Sequence, residues 1–387
     1  MLVSYFFGGF YMKYVVLFTV LLTLFTLSTA QADNEHIEMQ LSPQIKLNVD
    51  ICSEDIKNVR QFSMKRYHPE CLSISSLTDH LFVHSDAQIT QDGYYDGYSI
   101  YHQARHRINE AGEAAVIASD GLVQYYHSGK STRYTMAEEY LFYERNFRAA
   151  EPSVKSLPFE DDDFLCSHTN FTAEEADLLA KQTIELILGE SSVLSPCLLY
   201  RYSISYEQME LIMEAFRLYP EDWIETYHEA IAQRDWTEAD NLYFFKYGFE
   251  IDGIPVVAVD DSKYVSSGES VIVPLAVDIK MNPEGIYNLY AMLASSECVS
   301  ESFVGEPLSY DSACEALLAY FDSIIMTNPI EVTEMWLEYL VTANPSDYSL
   351  LDFTPVWRFN CDTIIGDVRF ENDLMIRLHA ITGEVVQ

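Results

Sequence analysis

Short alternating apolar segments, closed by Asp-Gly or Ser-Gly, set the tightest limit on how this chain can fold. Between Ala114 and Met136 the runs AAVIAS, LVQYYH and STRYTM are split by Asp120-Gly121 and Ser128-Gly129. Glycine supplies the φ > 0 positions that two-residue hairpins need, so this spacing predicts a meander of three strands. Asp92-Gly93 and Asp96-Gly97, among Tyr94, Tyr95, Tyr98 and Tyr101, predict more turn-and-strand structure upstream. Further on, LYFFKYGFEI (242–251), IPVVAVD (254–260) and SVIVPLAVDI (270–279) lie between Asp252-Gly253 and Ser267-Gly268. A short helix is expected over Ala137 to Asn146.

Helices interrupt this pattern at two places. Thr172-Ala-Glu-Glu175 is a capping box in front of Ala176, Leu179, Ile184 and Ile187, and Gly189 closes the run. An amphipathic helix follows from that periodicity, with its start and stop both marked. Ser309 caps a second helix running to about Ile325, with Asp311 in the first turn where the helix dipole favours an acid. Tyr206 to Leu218 and Trp223 to Gln233 read as two more. After the second capped helix come Glu331 to Val341, Pro355 to Phe359 and Leu374 to Val386, the last turning at Thr382-Gly383. Two units of helix followed by strands result, and their openings FTAEEA (171–176) and LSYDSA (308–313) form a weak internal repeat.

Composition closes off several classes of function. With 60 acidic against 23 basic residues, the net charge of −37 argues against nucleic-acid binding, whose affinity comes from clustered Lys and Arg. An apolar share of 49% is enough for a large buried core. Glu151 to Asp163, EPSVKSLPFEDDD, lacks anything to pack and reads as a linker; its acidic run has no alternating calcium-ligand spacing. The expected organisation is a leader over 1–32, a mainly β domain over 33–155, an acidic linker over 156–164, and helix-plus-sheet modules over 165–290 and 291–387. The fold class is therefore α+β: an N-terminal mainly β region followed by two helix-plus-antiparallel-sheet modules.

The front of the chain carries an address. Lys13 precedes an unbroken apolar run, Val15 to Leu27, and Ala30-Gln31-Ala32 follows as an A-x-A site. Such a run rises about 20 Å as a helix, short of the roughly 30 Å hydrocarbon core. A signal peptide cleaved after about Ala32 is expected, hence a secreted protein. The alternative is an uncleaved anchor over Tyr14 to Ala30, the one route by which this chain would touch a membrane. Met12-Lys13 reads as the natural start, leaving residues 1–11 as an extension. Export permits disulfides, and of Cys52, Cys71, Cys166, Cys197, Cys298, Cys314 and Cys361, neighbour pairing (52–71, 166–197, 298–314) is the simplest arrangement. Buried free thiols are the other.

Catalytic patterns come close and fail. His228-Glu229 begins H-E-x-x-H, but Ala232 stands where the second zinc ligand belongs. Gly129-Lys130-Ser131 ends like a phosphate loop, but Gln124 replaces the upstream glycine and the segment reads as a hairpin. No G-x-S-x-G is present. His80/His84 and His102/His106 each share a face at four-residue spacing and are the candidate metal ligands, without a third ligand or second shell. No catalytic residue, metal or cofactor is expected, and the chain is read as a non-enzyme.

The E-E-A helix, the strand ending in Asp252-Gly253-Ile254-Pro255-Val256, and the tail combine with one another. The tail pairs Thr354-Pro355-Val356-Trp357-Arg358-Phe359 with Leu378-His379-Ala380-Ile381-Thr382-Gly383-Glu384-Val385-Val386. Together, over about residues 165–387, these resemble uncharacterised exported proteins and lipoproteins of Gram-positive bacteria built from PepSY-like modules. Those are related in architecture to the extracellular Yyc regulatory proteins that restrain a cell-wall sensor kinase. Two departures stand out: His379-Ala-Ile-Thr-Gly383 replaces the usual Asn-Ala-(Ile)-Asp-Gly, and the lipid-bearing Cys of many members is missing. The resemblance implies a small antiparallel sheet on one helix per module and a binding or inhibitory role, and it supplies no catalytic residues. The expected function is thus to bind a peptide or protein partner in the cell envelope, with Trp336, Tyr339, Trp357 and Phe359 as candidate aromatic anchors. Burial in the core is the competing fate of such rings. The alternatives are an extracellular metal-assisted hydrolase and a surface protein that binds glycan through the Tyr-rich stretch 92–136. The sequence leaves the oligomeric state open.

Overall fold

A computed structural model describes residues 35–51, 58–99, 102–139, 167–189, 192–216, 235–258, 271–324, 328–366 and 368–386. The chain begins with β1 (Glu35–Ser42), β2 (Ile45–Ile51), β3 (Val59–Arg66) and helix α1 (Ile74–Leu81). Four strands follow, β4 (Ile89–Ser99), β5 (His102–Asn109), β6 (Glu113–Ala118) and β7 (Leu122–His127), then α2 (Ser128–Glu139) and α3 (Ala173–Leu188). Next come β8 (Ser195–Ile204), α4 (Tyr206–Phe216), a single 3-10 turn at Glu238–Asp240, β9 (Leu242–Ile251) and β10 (Ile254–Val256). The last third holds β11 (Ala276–Asn282), β12 (Gly285–Met292), β13 (Ala294–Gly305), α5 (Tyr310–Asp322), β14 (Ile330–Ala343), β15 (Leu350–Ile365) and β16 (Val368–His379).

Two compact units divide these elements. Of the described residues, the larger takes those of Arg60–Val304 with Glu338–Pro355, and the smaller takes those up to Val59 with Gly305–Leu337 and Val356–Val386.

In the larger unit, β4 to β7 form an antiparallel run that continues from β7 into β12, with Val123 opposite Ala291 and Tyr125 opposite Leu289. From β12 the sheet passes through β11 to β9, which also pairs with β8 and with the short β10. Strand β9 is buried on nearly every residue, as expected for a strand covered on both faces. Helix α3 lays Ala176, Ala180, Ile184 and Ile187 against this core. Thr172 and Glu175 close its capping box reciprocally, and Gly189 sits beyond its end at φ 72°. Two tyrosine hydroxyls fasten the helix: Tyr247 donates to Asp177 at 2.8 Å, and Tyr67 to the Ile187 carbonyl at 2.6 Å. The Asp120-Gly121 turn is packed so closely that a Cβ on Gly121, already at φ 101°, would stand 2.7 Å from the Leu293 carbonyl oxygen.

The smaller unit is a mixed sheet covered on one face by α5. Strands β1 and β2 are antiparallel, β2 joins β14 in parallel (Ile45 with Ile330, Leu47 with Val332), and β15 pairs antiparallel with β16. Alternation then sorts the side chains. Ile45, Leu47, Val49, Val332, Met335, Phe359, Cys361, Ile376 and Leu378 face Ala313, Cys314, Leu317 and Phe321 of α5. The Ser309 hydroxyl accepts the Ser312 N–H and caps that helix as its sequence predicts.

An N-terminal β region followed by two helix-plus-antiparallel-sheet modules is not what forms. Among the described residues sixteen strands dominate, with parallel as well as antiparallel pairs inside each unit, and the helices are short. Partner strands come from far along the chain: β2 with β14, β3 with β15, β7 with β12. Local pattern identifies a strand but not its distant neighbour, so a succession of helix and strands looked modular when it is not. Two smaller expectations also change. The third strand of the meander, STRYTM, is part of helix α2, fixed by Arg133 and Tyr134, which both bond Asp240 at 2.7 and 2.9 Å. Asp92-Gly93 is not a turn but the interior of β4, where Asp92 pairs with Arg105 and Arg107 across on β5. The leader over 1–32, the linker over 156–164, the helix over Trp223 to Gln233 and the Ser267-Gly268 turn lie outside the described residues. Among the described residues, no helix is long and apolar enough to cross a membrane.

Candidate functional site

The four aromatic anchors expected from sequence are placed very differently. Phe359 is fully buried in the core beneath α5. Trp357 is half-buried against the same core, and its indole N–H donates to the Leu308 carbonyl at 3.2 Å. Tyr339 belongs to the larger unit, where it is buried edge-on to Phe62 with ring centroids 5.7 Å apart, and its hydroxyl accepts the Arg60 backbone N–H. Burial pushes the Tyr339 phenol pKa upward. These three are structural. Trp336 is not part of the core beneath α5; the Arg358 guanidinium lies 4.7 Å from its ring centroid.

Around that stack lies a sheet face rich in polar side chains, on which Glu331, Asn360, Asp362 and Arg377 are buried and Trp336 and Arg358 half-buried. Arg358, Asn360 and Asp362 alternate with Phe359 and Cys361, so one set faces the core and the other faces away. Arg358 donates to Asn360 at 3.1 Å, and Asn360 donates to Glu334 at 2.6 Å. Arg377 stands directly across from Arg358 on β16. Arg369 bridges two carboxylates, with Nε 2.5 Å from Asp362 and Nη1 3.0 Å from Glu331. Glu331 further accepts from Asn48 at 2.7 Å and lies 3.5 Å from Lys46. Lys46 in turn pairs with Glu38 at 2.8 Å; the hydrogen bond between them lowers the carboxyl pKa and raises the ammonium pKa. Lys46 and Arg369 thus meet Glu38, Glu331 and Asp362, with Arg358, Arg377 and Glu334 nearby, four cations and four carboxylates in all. In a chain with 60 acids to 23 bases, that balance is local and unusual.

Such a face holds its charged groups in fixed positions before any partner arrives. Side chains already ordered lose less freedom on binding, which favours recognition. Trp and Arg are also the residue types that most often dominate binding energy. Sequence reasoning passed over Glu331, Arg358, Asn360, Asp362 and Arg369. Their signal was present in the period-two alternation of Arg358-Phe359-Asn360-Cys361-Asp362, which looks like any amphipathic strand until the partner strands are known.

Among the described residues, the histidine candidates do not converge. His80 Nε2 lies 2.9 Å from the Thr183 hydroxyl, where burial lowers its pKa. His84 stands beside Glu113, His106 lies within β5, and His102 starts β5 with its side chain outside the described residues. Among the described residues, no three His, Cys, Asp or Glu side chains are placed to hold a metal ion. Cys71, Cys197, Cys298, Cys314 and Cys361 are free thiols, so none of the neighbour disulfides forms. Burial raises the Cys314 thiol pKa to about 11 and that of Cys361 to about 12, leaving both as unreactive core residues.

No protein-family model matches the chain, and no curated protein is similar to it. Among solved structures, it is similar to an uncharacterised protein from Eubacterium rectale, with 15% sequence identity and a TM-score of 0.54. That likeness covers 91% of this chain and 93% of the other, and what it shows is a shared fold across almost the whole length.

Proposed function

We propose that this chain is an exported, non-enzymatic protein that binds a peptide or protein partner in the cell envelope through the polar sheet face of its smaller unit. The observation that carries the reading is the Trp336–Arg358 stack at 4.7 Å, set among pre-ordered and balanced charges. Export rests on the leader pattern over residues 1–32. The large negative charge favours basic partners and speeds their approach, and the aromatic–guanidinium pair supplies the contact area. Within the described residues β1 pairs only with β2, which leaves an edge to which an extended segment can add as a strand.

Capture of envelope proteins on the immobilised chain, unmutated and as Trp336→Ala and Arg358→Ala, tests this. A partner held by the unmutated chain and weakened at least about tenfold by either change supports the reading, since a hot-spot truncation costs about 2 kcal/mol or more. A partner retained equally by all three proteins contradicts it.

A further inference from the structure

A second cluster of titratable groups lies in the larger unit, and nothing in the proposed binding role uses it. Glu113 is fully buried, and both of its carboxylate oxygens are filled by donors. Val83 and His84 donate their backbone N–H groups at 2.7 and 3.1 Å, Asn109 its amide at 2.8 Å and Tyr125 its hydroxyl at 3.0 Å. These bonds fix the segment after α1 and hold His84 Nδ1 3.5 Å from the Glu113 carboxylate. The His84 ring meets His127 edge to face, with centroids 5.6 Å apart. His127 ends β7, and its Nδ1 is buried without a hydrogen-bond partner. Three residues on, in the first turn of α2, Lys130 pairs at 2.5 Å with Glu284 in the turn between β11 and β12.

We propose that this cluster is a proton-operated latch, closed at neutral pH, which releases the start of α2 from the β11–β12 turn once the His127 imidazole carries a proton. The groups facing His127 set what its proton does: it creates a cation between Lys130 and the His84 ring, and it turns the buried Nδ1 into a donor with no side-chain acceptor. Glu113 cannot serve, because four donors already occupy it, and Glu284 is held by Lys130. The closed arrangement leaves that charge uncompensated; separating α2 from the turn lets His127 and Lys130 reach water and frees Glu284. Burial already disfavours the charged form of His127, with Lys130 and His84 acting in the same direction and Glu113 and a hydrogen bond to its own backbone opposing.

Hydrogen exchange of the full chain at about pH 7.5 and about pH 5, corrected for intrinsic rates, tests the latch in the range where imidazoles titrate. The expected result is several-fold faster exchange at low pH in residues 126–134 and 283–287, with α3 unchanged, and loss of that response in His127→Gln. Exchange that ignores pH in those segments, that rises equally in α3, or that rises unchanged in His127→Gln overturns it. An independent readout in the unmutated chain is the His127 imidazole resonance. On acidification it is expected to titrate below the ordinary histidine value; titration at or above that value overturns the proposal.

Discussion

Arg369 shows how much one side chain can organise. More than two-fifths exposed itself, at 44%, it holds two carboxylates that are almost buried, Glu331 at 8% and Asp362 at 4%. An exposed ion pair would add little to stability, but a carboxylate stripped of its counter-charge in a buried place costs far more. Arg369→Ala is expected to destabilise the smaller unit by about 1–3 kcal/mol, read from the denaturant midpoint. A change within experimental error would mean that the bridge contributes no ordering. Protonation has a sign that follows from the same groups. Burial lowers the pKa of His80, His127, His168 and His379. The unfolded chain therefore binds more protons than the folded one as pH falls past about 6.5, and stability drops through that range. Glu113 and Asp240 add a second loss in stronger acid. Burial would raise both carboxyls, but their hydrogen bonds outweigh it and hold them low, so that stability is present above the ordinary carboxylate value and lost below it. Urea midpoints at about pH 7.5, 6 and 5 should fall in that order; a flat series contradicts the assignment of these histidines.

Elements were legible where the signal was local. The capping box of Thr172 and Glu175, the Gly189 stop and the Ser309 cap all appear where the residues placed them. Each depends on a side chain and a backbone group only a few positions apart, so neighbours in sequence are sufficient. Thr172→Ala should accordingly cost about 1 kcal/mol of stability by chemical denaturation. An unchanged midpoint would show that α3 is held by packing alone. STRYTM fails as a strand for the opposite reason. Its β-branched residues favour extension, yet Arg133 and Tyr134 reach Asp240, more than a hundred residues away, and that contact decides for a helix. Asp92-Gly93 fails likewise, because the two arginines that hold Asp92 come from the neighbouring strand.

At the scale of the whole molecule, pairing between distant strands carried the information that the sequence concealed. Residues expected to form a separate front domain supply β2 to the smaller unit and β3 to β7 to the larger one. The candidate face has the same origin: Lys46 and Asn48 from β2 meet Glu331 from β14 and Arg369 from β16, which no linear motif could announce. Trp336 was singled out by residue type, and its pairing with Arg358, like the burial of Tyr339, Trp357 and Phe359, depended on which face of which unit each joined. Recognition through this face is the claim on which the functional account stands. Its most direct test is a photo-crosslinking residue placed at position 336 in the full chain within living cells, with Tyr348, an exposed residue of the larger unit, replaced in parallel. The account predicts a discrete adduct with one envelope partner from position 336 and none from position 348. Equal adducts from both positions, or none from position 336, would contradict it.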